Sequence, residues 1–205
     1  GEQSFAFGRN CVLASSLPDS IPGVTIDRQC GSSQQAVQFA MQAVMSGTQD
    51  VVIAAGGESM TRVPMFSNAA LHAKAGIGIG PFPASILNRY GVEDFSQFTG
   101  AQMIADKYGF SRDAMDRFAL ASHQKAAAAI EARSFVNEIV PVETENGTFA
   151  QDEGVRFDAS LEKIGSLDPL VEGGSITAAN ASQISDGASG VLIVNETALK
   201  QHGLT

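Results

Sequence analysis

The sequence predicts an α/β fold in which a layered α-β-α core is interrupted by a large, loop-rich α+β insertion. Three observations predict it. Residues 23–58 read as one strand-helix-strand unit, the stretch after Met60 is broken by Gly and Pro, and an apolar run around residue 190 returns to strand character. The expected organisation is a core part over 1–60, an insertion over 61–183 and a return to the core sheet over 184–205.

The elements follow in chain order. Val24-Thr25-Ile26 reads as a short strand, and Cys30-Gly31 as the turn after it. Ser32 to Met45 carries Ala36, Val37, Phe39, Ala40, Met41, Ala43 and Val44, apolar on more than one face, as in a helix held between layers. Ser46-Gly47 ends this helix, and Asp50 to Ala55 is a continuous apolar run closed by Gly56-Gly57. That pattern predicts a strand buried on both faces of a mostly parallel sheet. Pro64, Gly76, Gly78, Gly80, Pro81 and Pro83 then mark an irregular stretch. Helical spacing returns over about Thr99–Tyr108, and again after Ser111, a good N-cap, through Met115, Phe118 and Ala126 to about Ala132. Residues 135–143 and 147–152 read as short strands or extended segments, and Gly190 to Val194 as a core strand followed by a helix from Glu196.

Bulk properties narrow the function. Thirteen basic against twenty-two acidic residues give a formal charge of −9, which disfavours a general nucleic-acid or membrane-surface binder. A polyanionic ligand then needs a local basic patch. Cys11 and Cys30 are the only cysteines, with no CxxC pair and no His/Cys cluster, so neither a disulfide framework nor a metal site is expected. A cytoplasmic, reducing setting fits this usage. The apolar runs fall short of the roughly 20 residues that span a bilayer, and no signal-peptide pattern opens the chain.

Cys30 is the residue with the clearest chemical potential. At the start of a helix it faces unsatisfied N–H groups and the positive end of the helix dipole, which favour thiolate over thiol. Gly31 allows close approach of a substrate, and the adjacent amides can face an oxyanion. Position alone leaves a second reading open, a structural cysteine buried in the core, as free cysteines commonly are.

The flanking residues favour the first reading. Arg28-Gln29-Cys30-Gly31-Ser32-Ser33-Gln34-Gln35-Ala36 resembles the thiolase nucleophile segment, N-R-L-C-G-S-G-x-Q-A. Further segments follow in the family's order. Gly56-Gly57-Glu58-Ser59-Met60 resembles its Gly-Gly-Met-Glu-Ser-Met stretch, and Ser111-Arg112 through Asp116, Phe118, Ala119 and Ser122 its S-R-x-x-x-D-x-F-A-x-x-S helix. Glu138-Ile139-Val140-Pro141 and Thr177-Ala178-Ala179-Asn180-Ala181-Ser182 with Asp186-Gly187-Ala188 resemble its E-I-V-P and T-A-G-N-A-S-x-x-N-D-G-A segments.

The resemblance implies a thiolase-like core and a thiolase-type acyltransferase in which Cys30 takes an acyl group from a coenzyme A thioester. Reactions of this kind are thiolytic cleavage of 3-ketoacyl-CoA, as in lipid degradation, and condensation of acetyl-CoA. Coenzyme A and acyl-CoA are then substrates, with no permanently bound cofactor. The resemblance also implies that Arg156 packs near the nucleotide end of coenzyme A and that Ala178 and Ser182 line the pantetheine path. A solvated Arg156, and small residues that merely suit a turn, are the other readings of these positions.

The family's Gly-His-Pro histidine and second cysteine, in Cys-x-Gly-Gly, are not among the segments found. His72, His123 and His202 lack that context, and Asn195-Glu196 is followed by Thr197-Ala198 rather than the family's pattern. The sequence is therefore expected to cover the middle of a thiolase, short of its first strands and with its C-terminal half supplied elsewhere. The family is usually a homodimer or homotetramer. Two alternatives remain: a noncatalytic acyl-CoA-binding scaffold, and a decarboxylating ketoacyl synthase, against which the segments around Arg112 and Ser182 argue. Gln97 to Gln102 and Val171 depart from the family pattern, and the Arg-Gln-Cys-Gly-Ser-Ser version of the nucleophile segment resembles degradative enzymes for long or bulky acyl chains.

Overall fold

The structure, a computed structural model, describes residues 5–78 and 80–204. The elements are α1 (Phe7–Ala14), α2 (Ser32–Met45), β1 (Val51–Ser59), α3 (Ser67–Ala75), α4 (Ala84–Tyr90) and α5 (Gln97–Tyr108). They continue with α6 (Arg112–Glu131), β2 (Val142–Thr144), β3 (Gly147–Phe149), α7 (Leu161–Gly165), β4 (Asp186–Val194) and α8 (Glu196–Gln201). No helix among the described residues is long and apolar enough to cross a membrane.

Two compact units result, one built from the chain up to Pro81 together with Ile184 onward, the other from Phe82–Gln183. The first boundary falls at Pro81, not at residue 61 as the composition change suggests. Thr61 explains part of this difference: its backbone N–H (3.0 Å) and hydroxyl (2.5 Å) both donate to the carboxylate of Asp186, the first residue of β4.

In the first unit β1 and β4 pair antiparallel, from Val51 opposite Val194 to Ser59 opposite Asp186. The mostly parallel sheet expected from the apolar run is thus corrected. Such a run reports burial, and burial carries no information about the direction of the neighbouring strand. Nor are both faces covered. Helix α2 packs on the pair, with Ala40 and Ala54 buried, while Ile53 remains 52 % exposed and Met45 of α2 82 % exposed.

Val24-Thr25-Ile26 forms no strand ladder among the described residues, which corrects the second expectation. Its neighbour is the start of α1 instead. The Gly8 N–H donates to Thr25 Oγ1 (2.9 Å), and Arg9 donates to the carbonyls of Asp19 (2.8 Å) and Ile21 (2.7 Å). Here glycine is required for space: a Cβ on Gly23 would lie 2.7 Å from the Gly8 carbonyl oxygen. Backbone packed that closely against a helix is tied by side chains rather than by a ladder.

The second unit is organised by α6. Ser111 caps it by accepting from the Ala114 N–H, and Gly109 ends α5 at φ 69°, a left-handed cap that favours glycine. Arg112 Nε donates to Asp116 Oδ2 (2.6 Å), and its Nη2 to the carbonyls of Ile164 and Leu167 (both 3.0 Å). Asp116 Oδ1 accepts from Asn180 Nδ2 (3.1 Å), which also donates to the Ser175 carbonyl, while Asn180 Oδ1 accepts from the Thr177 N–H (2.8 Å). One buried carboxylate therefore joins α6 to α7 and to the 175–180 turn. Residues 135–138 are turns, and only β2 and β3 realise the extended character expected there.

Two outcomes follow. Removing Arg112 leaves the Asp116 carboxylate, 6 % exposed at its side chain, without its cation. Arg112→Ala is expected to destabilise the protein by about 3 kcal/mol, read as a lower denaturant midpoint. Asp186, held below its ordinary carboxylate range chiefly by the Thr61 hydroxyl and then by the Thr61 N–H, contributes stability that is complete above about pH 4 and lost as pH falls through its folded value. The stability difference between the wild type and Thr61→Val should accordingly be largest at neutral pH and shrink in acid, as urea melts across a pH series would show.

Candidate active site

Cys30 stands immediately before Gly31, the N-cap residue of α2, and its side chain is exposed. It fills no core position, so the structural-cysteine reading finds no support in its surroundings. The loop that carries it is held by its own side chains. Ser32 Oγ accepts from the Arg28 N–H (2.9 Å) and donates to the Gln29 carbonyl (2.6 Å), while Asp27 Oδ1 accepts from the Gln29 N–H (3.0 Å). The Gly31 and Ser32 amides turn back to the Arg28 and Gln29 carbonyls, both at 3.0 Å. Arg28 also reaches forward to Gln35 Oε1 (3.0 Å), tying the loop to the first turn of α2.

These bonds hold Gln29 at φ 51°, a left-handed conformation disfavoured for a residue with a Cβ. Backbone strain next to a reactive side chain is common where geometry is prescribed by chemistry. Of the first-turn N–H groups of α2, that of Ser32 is taken by the Gln29 carbonyl and that of Gln35 by the Gly31 carbonyl, and the positive end of the helix dipole beside Cys30 favours negative charge there.

The sequence-derived ligand residues lie in the second unit. A cavity of about 630 Å³ is lined by Phe118, Ser122, His123 and Ala126 of α6, by Gly154–Arg156, by Asp158 and Lys163, and by Ala178–Ala181. Arg156 and Ala178 share this cavity. Ser182 does not line it; it is exposed, and its hydroxyl lies 3.4 Å from the Gln183 carbonyl oxygen. The Arg156 N–H donates to His123 Nδ1 (3.2 Å), which fixes the loop against α6. Sequence reasoning weighed His123 only against the family's histidine context and did not single out Asp158 or Lys163; the positions of all three on this wall depend on how α6 and α7 meet.

The remaining decoys have structural roles. Asn195 caps α8 by accepting from the Ala198 N–H (2.8 Å) and donates to Asp50 Oδ1 (2.6 Å), closing the far end of the β1-β4 pair. His202 occupies the C-cap of α8, and His72 Nδ1 lies 3.4 Å from the Asn68 carbonyl oxygen.

Residues 1–197 match the family model described as thiolase, N-terminal domain. The chain belongs to the thiolase family. It is 51 % identical over its full length to the steroid 3-ketoacyl-CoA thiolase FadA6 of Mycobacterium tuberculosis, covering 50 % of that protein. To the 3-ketoacyl-CoA thiolase of Photorhabdus laumondii it is 36 % identical, with 99 % of the chain and 51 % of the relative covered. Its structure resembles that of human mitochondrial 3-ketoacyl-CoA thiolase in complex with CoA at a TM-score of 0.80 and 29 % identity, with the whole chain and 53 % of the human protein covered. This thiolase chain thus spans about half the length of the curated relatives it matches, and its fold is the α/β core expected of part of that family.

Replacing Gln29 by glycine tests the strain beside Cys30. Gln29→Gly is expected to raise stability by about 1 kcal/mol in thermal or urea unfolding, because the left-handed conformation no longer carries a Cβ penalty.

Proposed function

We propose that this thiolase is an acyltransferase that moves acyl groups between coenzyme A thioesters through an acyl-Cys30 intermediate. The observation that carries the reading is Cys30 itself: exposed, at the head of α2, in a strained loop bearing the family's nucleophile segment. In the degradative direction the Cys30 thiolate adds to the 3-keto carbon of a 3-ketoacyl-CoA. The C2–C3 bond then breaks, its electron pair passes to C2, and protonation there releases acetyl-CoA. The sulfur of a second coenzyme A attacks the acyl-Cys30 thioester, gives up its proton and returns the thiolate. The Cys30 N–H, at the positive end of the α2 dipole, is suited to receive the oxyanion.

The cavity of the second unit is proposed to take coenzyme A, with Arg156 toward its nucleotide and Ala178 along the pantetheine arm; Ser182 belongs to the same turn without lining the cavity. No permanently bound cofactor enters this reading. The activating histidine and the second cysteine are proposed to come from the half of the family's length that this chain does not span. A homodimer or homotetramer in the cytoplasm is proposed for the whole protein. A bulky 3-ketoacyl chain is favoured by the Arg-Gln-Cys-Gly-Ser-Ser segment and by the relationship to a protein named as a steroid 3-ketoacyl-CoA thiolase.

Mass spectrometry after incubation with acetoacetyl-CoA tests the reading. An acetyl adduct on Cys30, and not on Cys11, that free coenzyme A discharges is the expected result. Cys30→Ala should abolish turnover in the protein carrying both thiolase halves while leaving coenzyme A binding intact. Absence of any adduct in that longer protein would instead favour an acyl-CoA-binding scaffold.

A further inference from the structure

Lys163 lies on the same cavity wall as Arg156, and nothing in its sequence context singles it out. Its ammonium group is engaged with Asp158, at 2.5 Å from the carboxylate and 3.2 Å from the backbone carbonyl. Both side chains of this pair are well solvated, 63 % and 79 % exposed, so the pair itself stabilises little and is cheap to exchange. The backbone beneath it is fixed. Lys163 donates its N–H to the cap residue Ser160, and Arg112 holds the carbonyl of the next residue, Ile164. Lys163 is thus a cation on a rigid base with a side chain free to change partners.

Charge balance gives that freedom a consequence. The cavity wall carries two cations, Arg156 and Lys163, and two carboxylates, Asp152 and Asp158. Asp152 Oδ1 is taken by the Gly154 N–H (2.7 Å). The wall is therefore close to neutral, in a chain of formal charge −9, and draws a phosphate only weakly as it stands. Swinging Lys163 from Asp158 to an entering phosphate puts two cations on one anion.

We propose that Lys163 binds a phosphate of the coenzyme A nucleotide and that Asp158 competes for it internally, so that Lys163 is released only to ligands carrying that phosphate. The inference rests on the cavity being the coenzyme A site. Asp158 lowers affinity for every phosphorylated ligand but leaves unphosphorylated analogues unaffected, which makes the pair a selectivity device.

Calorimetric titration of the protein carrying both thiolase halves with coenzyme A, 3′-dephospho-coenzyme A and pantetheine tests it. Lys163→Gln is expected to weaken coenzyme A by about three- to tenfold and leave pantetheine unchanged, whereas Asp158→Asn should tighten coenzyme A by about threefold. If the Lys163→Gln loss disappears with the dephospho form, the partner is the 3′-phosphate; if it persists there, the partner is the diphosphate. Equal losses for coenzyme A and pantetheine, or weaker coenzyme A binding by Asp158→Asn, would show a merely structural pair and overturn the inference. Failure of that wild-type protein to bind any of the three overturns the cavity assignment itself, whereas wild-type binding with an unaltered Lys163→Gln variant overturns only the role of Lys163.

Discussion

The carboxylate of Asp116 is buried, and a buried charge must be met by a cation and by hydrogen-bond donors on its remaining lone pairs. Arg112 and Asn180 meet that requirement, and in doing so bring together segments separated by more than fifty residues. The carbonyls at the C-terminal end of α7 and just beyond it, and the 175–180 turn, converge on α6 because the guanidinium and the amide have donors left over. The cavity wall inherits its position from this arrangement: Lys163 precedes the carbonyl of Ile164 that Arg112 holds, and Ala178 and Ala179 lie between Thr177 and Asn180, whose own hydrogen bond closes the turn. The Ser-Arg-x-x-x-Asp and Thr-Ala-x-Asn segments, which mark the family, are in physical terms a clamp. The residues of the cavity wall are carried by it.

The first unit is tied in a comparable way at the two ends of one strand pair. Asp186 collects donors from Ser59 and Thr61 at one end, and Asn195 reaches Asp50 at the other. Fixing both ends sets the antiparallel register, and α2 lies on the paired strands with Cys30 at its head. The hydrogen bonds of Ser32 and Asp27 within the loop around Cys30 maintain Gln29 in a left-handed conformation disfavoured for a residue with a Cβ.

Much of this was legible in order along the chain. Ser111 as a cap, the helix it starts, the end of α2 at Ser46-Gly47 and the helix from Glu196 all follow from local rules: a side-chain acceptor before an amphipathic run, or a residue that accepts positive φ. The strand at Val24–Ile26 and the parallel sheet were not legible correctly. Strand propensity requires a partner to become a ladder, and Thr25 is instead bonded to Gly8. Continuous apolarity in Val51–Ala55 marks a strand without giving its direction, and the face away from α2 stays open at Val51, Ile53 and Ala55 within this unit.

By itself the sequence determined the α/β class, the family and Cys30 as the reactive candidate, because those rest on short segments whose spacing along the chain is sufficient. Tertiary structure alone decided that β1 runs against β4, that Arg156 and Ala178 share a cavity that Ser182 does not line, and that Lys163 stands on the same wall paired with Asp158. The physical reason is that these are consequences of long-range satisfaction. A register is set by the distant side chains that close a strand pair, and a cavity wall by the buried groups behind it; neither leaves a local pattern to read.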